Sequence, residues 1–301
     1  MKYAIVDLGS NTIRLSVYRI LEDRSFVRLF SEKETAGLGS YVTNGIMSRE
    51  GIEKACSVLL EFRELLEQFD MKEMHVFATA SLRNIQNTDE ALQLIYRNTG
   101  LEVEVISGRE EAKMGYYGAL YTTHLQDGFL FDIGGGSTEV AEIRHGEIHD
   151  AQSMPLGSLS LFNAFVSKIW PKDQEIEDIK AHIDHCLTRA EISSQGNNLL
   201  CGIAGTSRAV LKITNAYYGK TKQNQMITPK ELDEITEVLC HKNGEARRLI
   251  LGQCPDRVHT IIPGILLMQS LCHTLGGKEL FISKYGVREG YLCRRFLTNT
   301  I

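Results

Sequence analysis

No run of apolar residues approaches the roughly 20 needed to span a bilayer; the best, around Ile261 to Met268, is broken by Pro263 and Gly264. The start of the chain has one early lysine, the short run Ala4-Ile5-Val6 and then Asp7, without the apolar core and small-residue cleavage site of a secretory signal. A cytoplasmic protein with no membrane partner is expected. Its seven cysteines are odd in number, scattered and without a C-x-x-C pair. That argues against a disulfide framework or a cysteine zinc site and for buried free thiols in a reducing compartment. His182 and His185 stand at helical spacing but lack the acidic company of an H-E-x-x-H motif, and read as a polar helix face. The net charge is −5, so nothing global attracts a polyanion such as DNA. An anionic ligand would need a local concentration of backbone amides, arginines or metal. Neither G-x-x-x-x-G-K-[ST] nor a G-x-G-x-x-G after a strand occurs, which leaves Walker-type and Rossmann nucleotide sites without support.

What is present is a duplication. Residues 3–20 read "YAIVDLGSNTIRLSVYRI", an apolar run, a D-L-G-S-N turn and an alternating run: strand, tight turn, strand. Residues 129–143, "FLFDIGGGSTEVAEI", repeat the plan about 125 residues later, with aspartate at the strand end, glycine two places on and then a hydroxyl residue. Such a repeat predicts two related lobes facing each other across a cleft, and 301 residues suffice for both. The expected division is 1–125 and 126–301, with a hinge near 124–128.

Between the copies, Ser48 begins a helix with Ile52, Ala55, Leu59, Phe62, Leu66 and Phe69 on one stripe. Strands "MHVFATA" and "LEVEVIS" alternate with helices from about Thr88 and Gly108, which argues for α/β architecture. Beyond the second copy, helices are expected over 173–192, from Ser207, from the Thr228-Pro229-Lys230-Glu231 capping box, over 263–275 and from Arg288, with strands "LLCGIAGT" and "ELFIS" among them.

A glycine-rich turn after a strand can aim several N–H groups inward and bind phosphate oxygens without a lysine. Gly134, Gly135 and Gly136 would supply that backbone, with hydroxyls from Ser137 and Thr138; Gly9, Ser10 and Asn11 form the matching turn. Aspartates beside phosphate are repulsive unless a hard cation intervenes, so Mg²⁺ is expected, with Asp7, Asp132 and Glu139 as its candidate ligands. Asp7 and Asp132 taken singly read as turn caps; two matched copies favour phosphate.

In "VISGREEAKMGYYGAL", Ser107 and Glu110 fit a capping box, which gives Glu110 a structural role and leaves Glu111 free to act as general base. Arg83, just after a strand, and Arg14, in the strand leaving the first turn, are candidates to offset charge on a transferring phosphoryl group.

With these segments in view, the sequence resembles the exopolyphosphatase and guanosine pentaphosphate phosphohydrolase family. The matching segments are "VDLGSNTIRL" (6–15), "GLG" (37–39), "ATASLRNIQN" (78–87), "VISGREEA" (105–112), "FDIGGGSTEV" (131–140), "LGSLSL" (156–161), "GIAGTSRAV" (202–210) and "YGVREGYL" (285–292). The resemblance implies the two-lobed, ribonuclease H-like duplicated fold of actin and sugar kinases, with catalysis between the lobes. It places the family's catalytic glutamate on Glu111, its phosphate-contacting arginine on Arg83, and its Mg²⁺-linked acids on Asp132 and Glu139, with Asp7 in the first loop. Departures are the Ala80-Ser81 order, Asn84 after the arginine and Lys284 before "YGVREG", which bear on substrate preference. Longer members carry C-terminal domains that help hold long polymers; here a homodimer would offer such a surface. The expected activity is release of orthophosphate from polyphosphate or guanosine pentaphosphate. Two alternatives remain: a phosphotransferase with an adenosine pocket near "GIAGTSRAV", for which no acceptor-site base is found, and a silent alarmone-binding sensor, which would have no need of Glu111 and Arg83.

Overall fold

A computed structural model describes residues 1–192, 194 and 198–297. The first lobe opens with a meander, β1 (Lys2–Leu8), β2 (Ile13–Ile20) and β3 (Phe26–Glu34), followed by a small hairpin, β4 (Val42–Thr43) and β5 (Ile46–Met47). It continues through α1 (Arg49–Glu67), β6 (His75–Ala78), α2 (Ala80–Arg83), α3 (Thr88–Thr99), β7 (Val103–Val105) and α4 (Gly108–Ala119). The second lobe repeats the meander as β8 (Gly128–Ile133), β9 (Thr138–Arg144) and β10 (Glu147–Met154). Then come α5 (Ser158–Phe165), α6 (Asp173–Arg189), β11 (Asn198–Ile203), α7 (Ala204–Tyr217), β12 (Met226–Ile227), α8 (Pro229–Cys240), α9 (Gly244–Gln253), α10 (Ile261–Thr274), β13 (Gly277–Ile282) and α11 (Val287–Phe296).

The strand orders β3-β2-β1-β6-β7 and β10-β9-β8-β11-β13-β12 show the duplication directly. In each sheet an antiparallel meander continues into parallel strands, β1 beside β6 and β8 beside β11. This is the two-lobed α/β architecture that the duplicated sequence predicts.

Strand periodicity decides what faces the gap between the sheets, because successive side chains point to opposite faces. In β1, Ala4, Val6 and Leu8 enter the core beneath α1 and α3, whereas Ile5 joins the layer shared by both lobes. In β8, Phe129, Phe131 and Ile133 enter the core of the second lobe, whereas Leu130 joins the shared layer. Asp7 and Asp132 continue the Ile5 and Leu130 faces, so both carboxylates stand at the rim of the shared layer.

That layer is filled by α4 and α11, which pack closely on one another. Glycines permit the crossing: a Cβ on Gly118 would lie 2.0 Å from the Gly286 carbonyl oxygen, and one on Gly290 would lie 1.8 Å from that of Met114. The chain therefore ends by returning to α4, and Tyr18 of β2 donates a buried 2.6 Å hydrogen bond to Glu289 of α11.

Several local expectations hold. Ser48 caps α1, accepting from the Gly51 amide. Ser107 and Glu110 form a full capping box, as do Thr228 and Glu231. Phe69 is a correction: α1 stops at Glu67, the chain reverses through Asp70 at φ 55°, and Phe69 is half exposed against Phe30. The helix expected from Ser207 begins three residues earlier, because Ala204 turns sharply at φ 62° and leads β11 straight into α7. His182 and His185 are exposed on α6. Among the described residues the cysteines are free, and no helix is long and apolar enough to cross a membrane.

The α4–α11 crossing yields a test. Gly290→Ala forces a methyl group into a backbone carbonyl and should destabilise the protein by about 3 kcal/mol, read as a lowered midpoint in urea denaturation. An unchanged midpoint would show that the helices can separate freely.

Candidate active site

The two glycine turns have the same construction. In the first, the Gly9 amide donates to the Thr12 carbonyl at 3.3 Å; in the second, Gly134 donates to Ser137 at 2.9 Å. They touch each other. A Cβ on Gly135 would lie 3.0 Å from the Asn11 Cβ, and one on Gly136 would lie 2.6 Å from the Ser10 hydroxyl. Absence of side chains there thus favours the close approach of the turns, and main-chain atoms of both turns line the cleft. The N–H groups of Ser10, Asn11, Gly135 and Gly136 donate to no protein acceptor among the described residues. Such convergent unfilled amides form an anion-binding concavity. The cleft they line has a volume of about 110 Å³.

Register then brings the charges together. Asp7 is paired across the meander with Arg14, and Asp132 with Glu139, so each aspartate at a strand end faces a charged residue of the outgoing strand. Asp7 also accepts from Arg288 at 3.1 Å. The Asp132 carboxylate has no hydrogen bond or ion pair within the protein among the described residues. Burial pushes its carboxyl up to about 7, with added repulsion from Glu139 and Asp7 and partial relief from Arg208 and Arg288.

Glu111 lies in the first turn of α4 and faces the cleft. Its carboxylate accepts from Arg83 at 2.7 Å. Burial raises its pKa well above the usual value, Glu139 and Asp132 raise it further, and Arg83 pulls it back. Behind it, Arg83 donates to Glu139 at 3.0 Å and to the Ile106 carbonyl at 3.2 Å. Its second terminal nitrogen also reaches the hydroxyls of Ser137 and Ser153, both at 3.3 Å. Ser137 and Ser153 in turn donate to Glu139 at 2.7 and 2.6 Å. Arg83 thus ties two buried glutamates together beneath the cleft wall.

Of the sequence candidates, Asp7, Gly9, Ser10, Asn11, Arg14, Glu111, Asp132, Gly134, Gly135, Gly136 and Ser137 all line the cleft. Arg83 and Glu139 form the layer behind. Thr138 stands apart: it is fully buried and its hydroxyl donates to the Leu156 carbonyl at 2.6 Å, a bond that fixes the loop rather than a ligand.

Three arginines of the cleft were not marked as site residues by the sequence: Arg208, Arg257 and Arg288. A signal for the first existed. The 125-residue offset that carries Asp7 onto Asp132 also carries Arg83 onto Arg208, each the fifth residue after a parallel strand. Arg14 and Arg208 are held down to about 10, by burial first and then by the charge of Arg288. An acidic protein has therefore concentrated four arginines around one cleft, which favours an anionic occupant.

Mg²⁺ is tested by the donor set. Among the described residues no three acidic, histidine or cysteine side chains converge closely enough to hold a metal unaided. Asp132 is nevertheless a buried carboxylate without a cationic partner, and the Oε2 atom of Glu139 is buried without any hydrogen bond. Hard oxygen donors of this kind suit an ion that keeps waters and takes further ligands from phosphate.

Comparison with known proteins identifies the family. The profile of the Ppx/GppA phosphatase family matches residues 16–299. The chain belongs to that family. Among its relatives, exopolyphosphatase 1 of Mycobacterium bovis is 23% identical over 303 residues, covering 98% of this chain and 88% of the relative. The bifunctional 3-dehydroquinate synthase/phosphatase of Fusobacterium nucleatum is 25% identical over 298 residues, covering 93% of this chain and 44% of that protein. Of solved structures, an exopolyphosphatase from Cytophaga hutchinsonii superposes with a TM-score of 0.85 at 23% identity, covering 97% of this chain and 96% of the other. The Aquifex aeolicus member of the Ppx/GppA family superposes at 0.79 with 24% identity, covering 100% and 99%. These likenesses place the fold with the family.

The raised pKa of Asp132 makes a stability prediction for this Ppx/GppA protein. A carboxyl whose folded value of about 7 exceeds its ordinary 3.8 favours the folded state below pH 3.8, and loses that contribution as pH rises through about 7. At about pH 8 without divalent cation, Asp132→Asn should raise the melting temperature by about 3–6 °C. The gain should vanish near pH 4. A lower melting temperature at alkaline pH would contradict the assigned burial of charge.

Proposed function

We propose that the protein is a Mg²⁺-dependent phosphohydrolase that releases terminal orthophosphate from inorganic polyphosphate, guanosine pentaphosphate or both. One observation carries this reading: a buried glutamate lines the same cleft as two touching turns with unfilled amides. The amides of Ser10, Asn11, Gly135 and Gly136 would take the phosphate oxygens, with Arg14 and Arg208 offsetting their charge.

A water placed between Glu111 and the terminal phosphorus gives its proton to the Glu111 carboxylate as its oxygen bonds to phosphorus. The anhydride P–O bond breaks, and its electron pair leaves on the shortened chain. Arg83 keeps Glu111 oriented and ionised, and its link to Glu139 couples that orientation to the second loop. Asp132, with Asp7 and Glu139 nearby, would hold Mg²⁺ jointly with substrate oxygens and water. When bound, the ion supplies charge neutralisation for the phosphates. Approach of the lobes would exclude bulk water. The names of the exopolyphosphatase relatives support the polyphosphate part of this reading.

With Mg²⁺ and tripolyphosphate or guanosine pentaphosphate, purified protein should release orthophosphate, and chelation should abolish release. Glu111→Gln should lower kcat by about 10³-fold while leaving substrate affinity nearly unchanged. Full turnover in the variant would refute the base, and binding without turnover in the wild type would favour a silent sensor.

Burial raises Glu111 above the ordinary carboxylate range, so the base is lost at a higher pH than an exposed glutamate would be. The rate should therefore fall as the medium is acidified, with a midpoint above 4.5, the ordinary value for glutamate. A rate flat down to that value would contradict the assignment.

A further inference from the structure

Two more cavities continue from the catalytic cleft across the second lobe. The first, about 360 Å³, shares Arg14, Gly205, Arg208, Arg257 and Arg288 with the cleft. The next, about 620 Å³, shares Arg208, Lys212, Gln253 and Lys284 with its predecessor. Shared walls make the three one continuous depression.

Its charge has a single dominant sign. Arg208 and Lys212 stand four residues apart on α7, so both emerge on one helix face and repel, an arrangement that disfavours the helix in the absence of an anion. Lys222 lies in the segment after α7 and Lys284 is the second residue after β13, and both wall the outermost cavity. Lys212, Lys222 and Lys284 are exposed and pair with no carboxylate among the described residues, whereas Lys220 beside them is bound to Glu231. The described lining of the outermost cavity includes no acidic residue. In the middle cavity the one acid, Asp256, is held by Lys33 at 2.5 Å. A protein of net charge −5 has thus laid an uncompensated cationic strip along one path leading from its cleft.

We propose that this strip is a polyanion track, along which the distal part of a linear polyphosphate chain runs from the cleft to an end subsite formed by Lys212, Lys222 and Lys284. The proposal rests on the phosphohydrolase reading and commits it to a polymeric substrate. Phosphate without bases fits better than nucleic acid, because single-stranded nucleic acids are held by aromatic stacking and the described lining of the outermost cavity has no ring.

The test uses the full chain with Lys212→Glu, Lys222→Glu and Lys284→Glu combined. A charge-matched control carries Lys2→Glu, Lys72→Glu and Lys278→Glu, exposed positions outside all three cavities. Thermal unfolding checks that both variants fold. For long-chain polyphosphate the track variant should show KM raised by about tenfold with kcat unchanged, and the slope of log affinity against log salt should shrink by about two to three. Tripolyphosphate and guanosine pentaphosphate should be hydrolysed as by the wild type, and the control should behave as wild type throughout. The same affinity loss should appear for long-chain polyphosphate binding to Glu111→Gln protein, which reads the track without turnover. Unchanged long-chain affinity overturns the proposal, as does an equal loss with the short substrates or in the control. A single-stranded oligonucleotide that binds the strip more tightly than polyphosphate also overturns it. Absence of all hydrolysis with length-dependent binding intact would sink the catalytic reading and leave the track standing.

Discussion

Contact between the turn after β1 and the turn after β8 is the constraint on which the rest depends. Gly135 lies against Asn11 and Gly136 against Ser10 so closely that an added Cβ would fall 3.0 Å from the Asn11 Cβ and 2.6 Å from the Ser10 hydroxyl. Two equivalent strands therefore present their free amides to one small volume, and strand periodicity sends Asp7 and Asp132 to its rim. A side chain at either glycine would press on the opposing turn and force Asn11 or Ser10 to shift. Packing of α4 against α11 secures the same geometry from behind, since α11 supplies Arg288 to Asp7 and Glu289 to Tyr18.

Placing these groups together creates an electrostatic problem that the fold only partly resolves. Buried carboxylates resist ionisation unless paired. Asp7 has Arg288, and Glu111 and Glu139 share Arg83, but among the described residues the Asp132 carboxylate is left without an ion-pair partner. On the cationic side, Arg14, Arg208, Arg257 and Arg288 crowd one another. An incoming phosphate chain relieves the arginines and a divalent ion relieves Asp132, so the ligands complete a charge balance that the protein leaves open.

Much of this was legible in the sequence, for identifiable reasons. The matched D-x-G turns revealed the duplication, and the Ser107–Glu110 box separated the structural glutamate from the cleft-facing one, because capping is a local interaction. Strands β3 and β10 were not foreseen; both are sheet edges with weakly patterned burial. Arg257 and Arg288 join the cleft only through tertiary folding, and nothing in their local spacing marks them. Arg208 could have been found by carrying the repeat offset beyond the glycine turns. Thr138 shows the opposite failure: adjacent to the turn in sequence, it points its hydroxyl to the Leu156 carbonyl.

The most direct measurement of the shared anion site is a crystal structure of the Glu111→Gln protein with tripolyphosphate and Mg²⁺. Phosphate oxygens should lie within hydrogen-bond reach of the Ser10, Asn11, Gly135 and Gly136 amides at once, with the two turns still in contact. Turns drawn apart with those amides facing solvent, and phosphate held elsewhere, would contradict the account at its base.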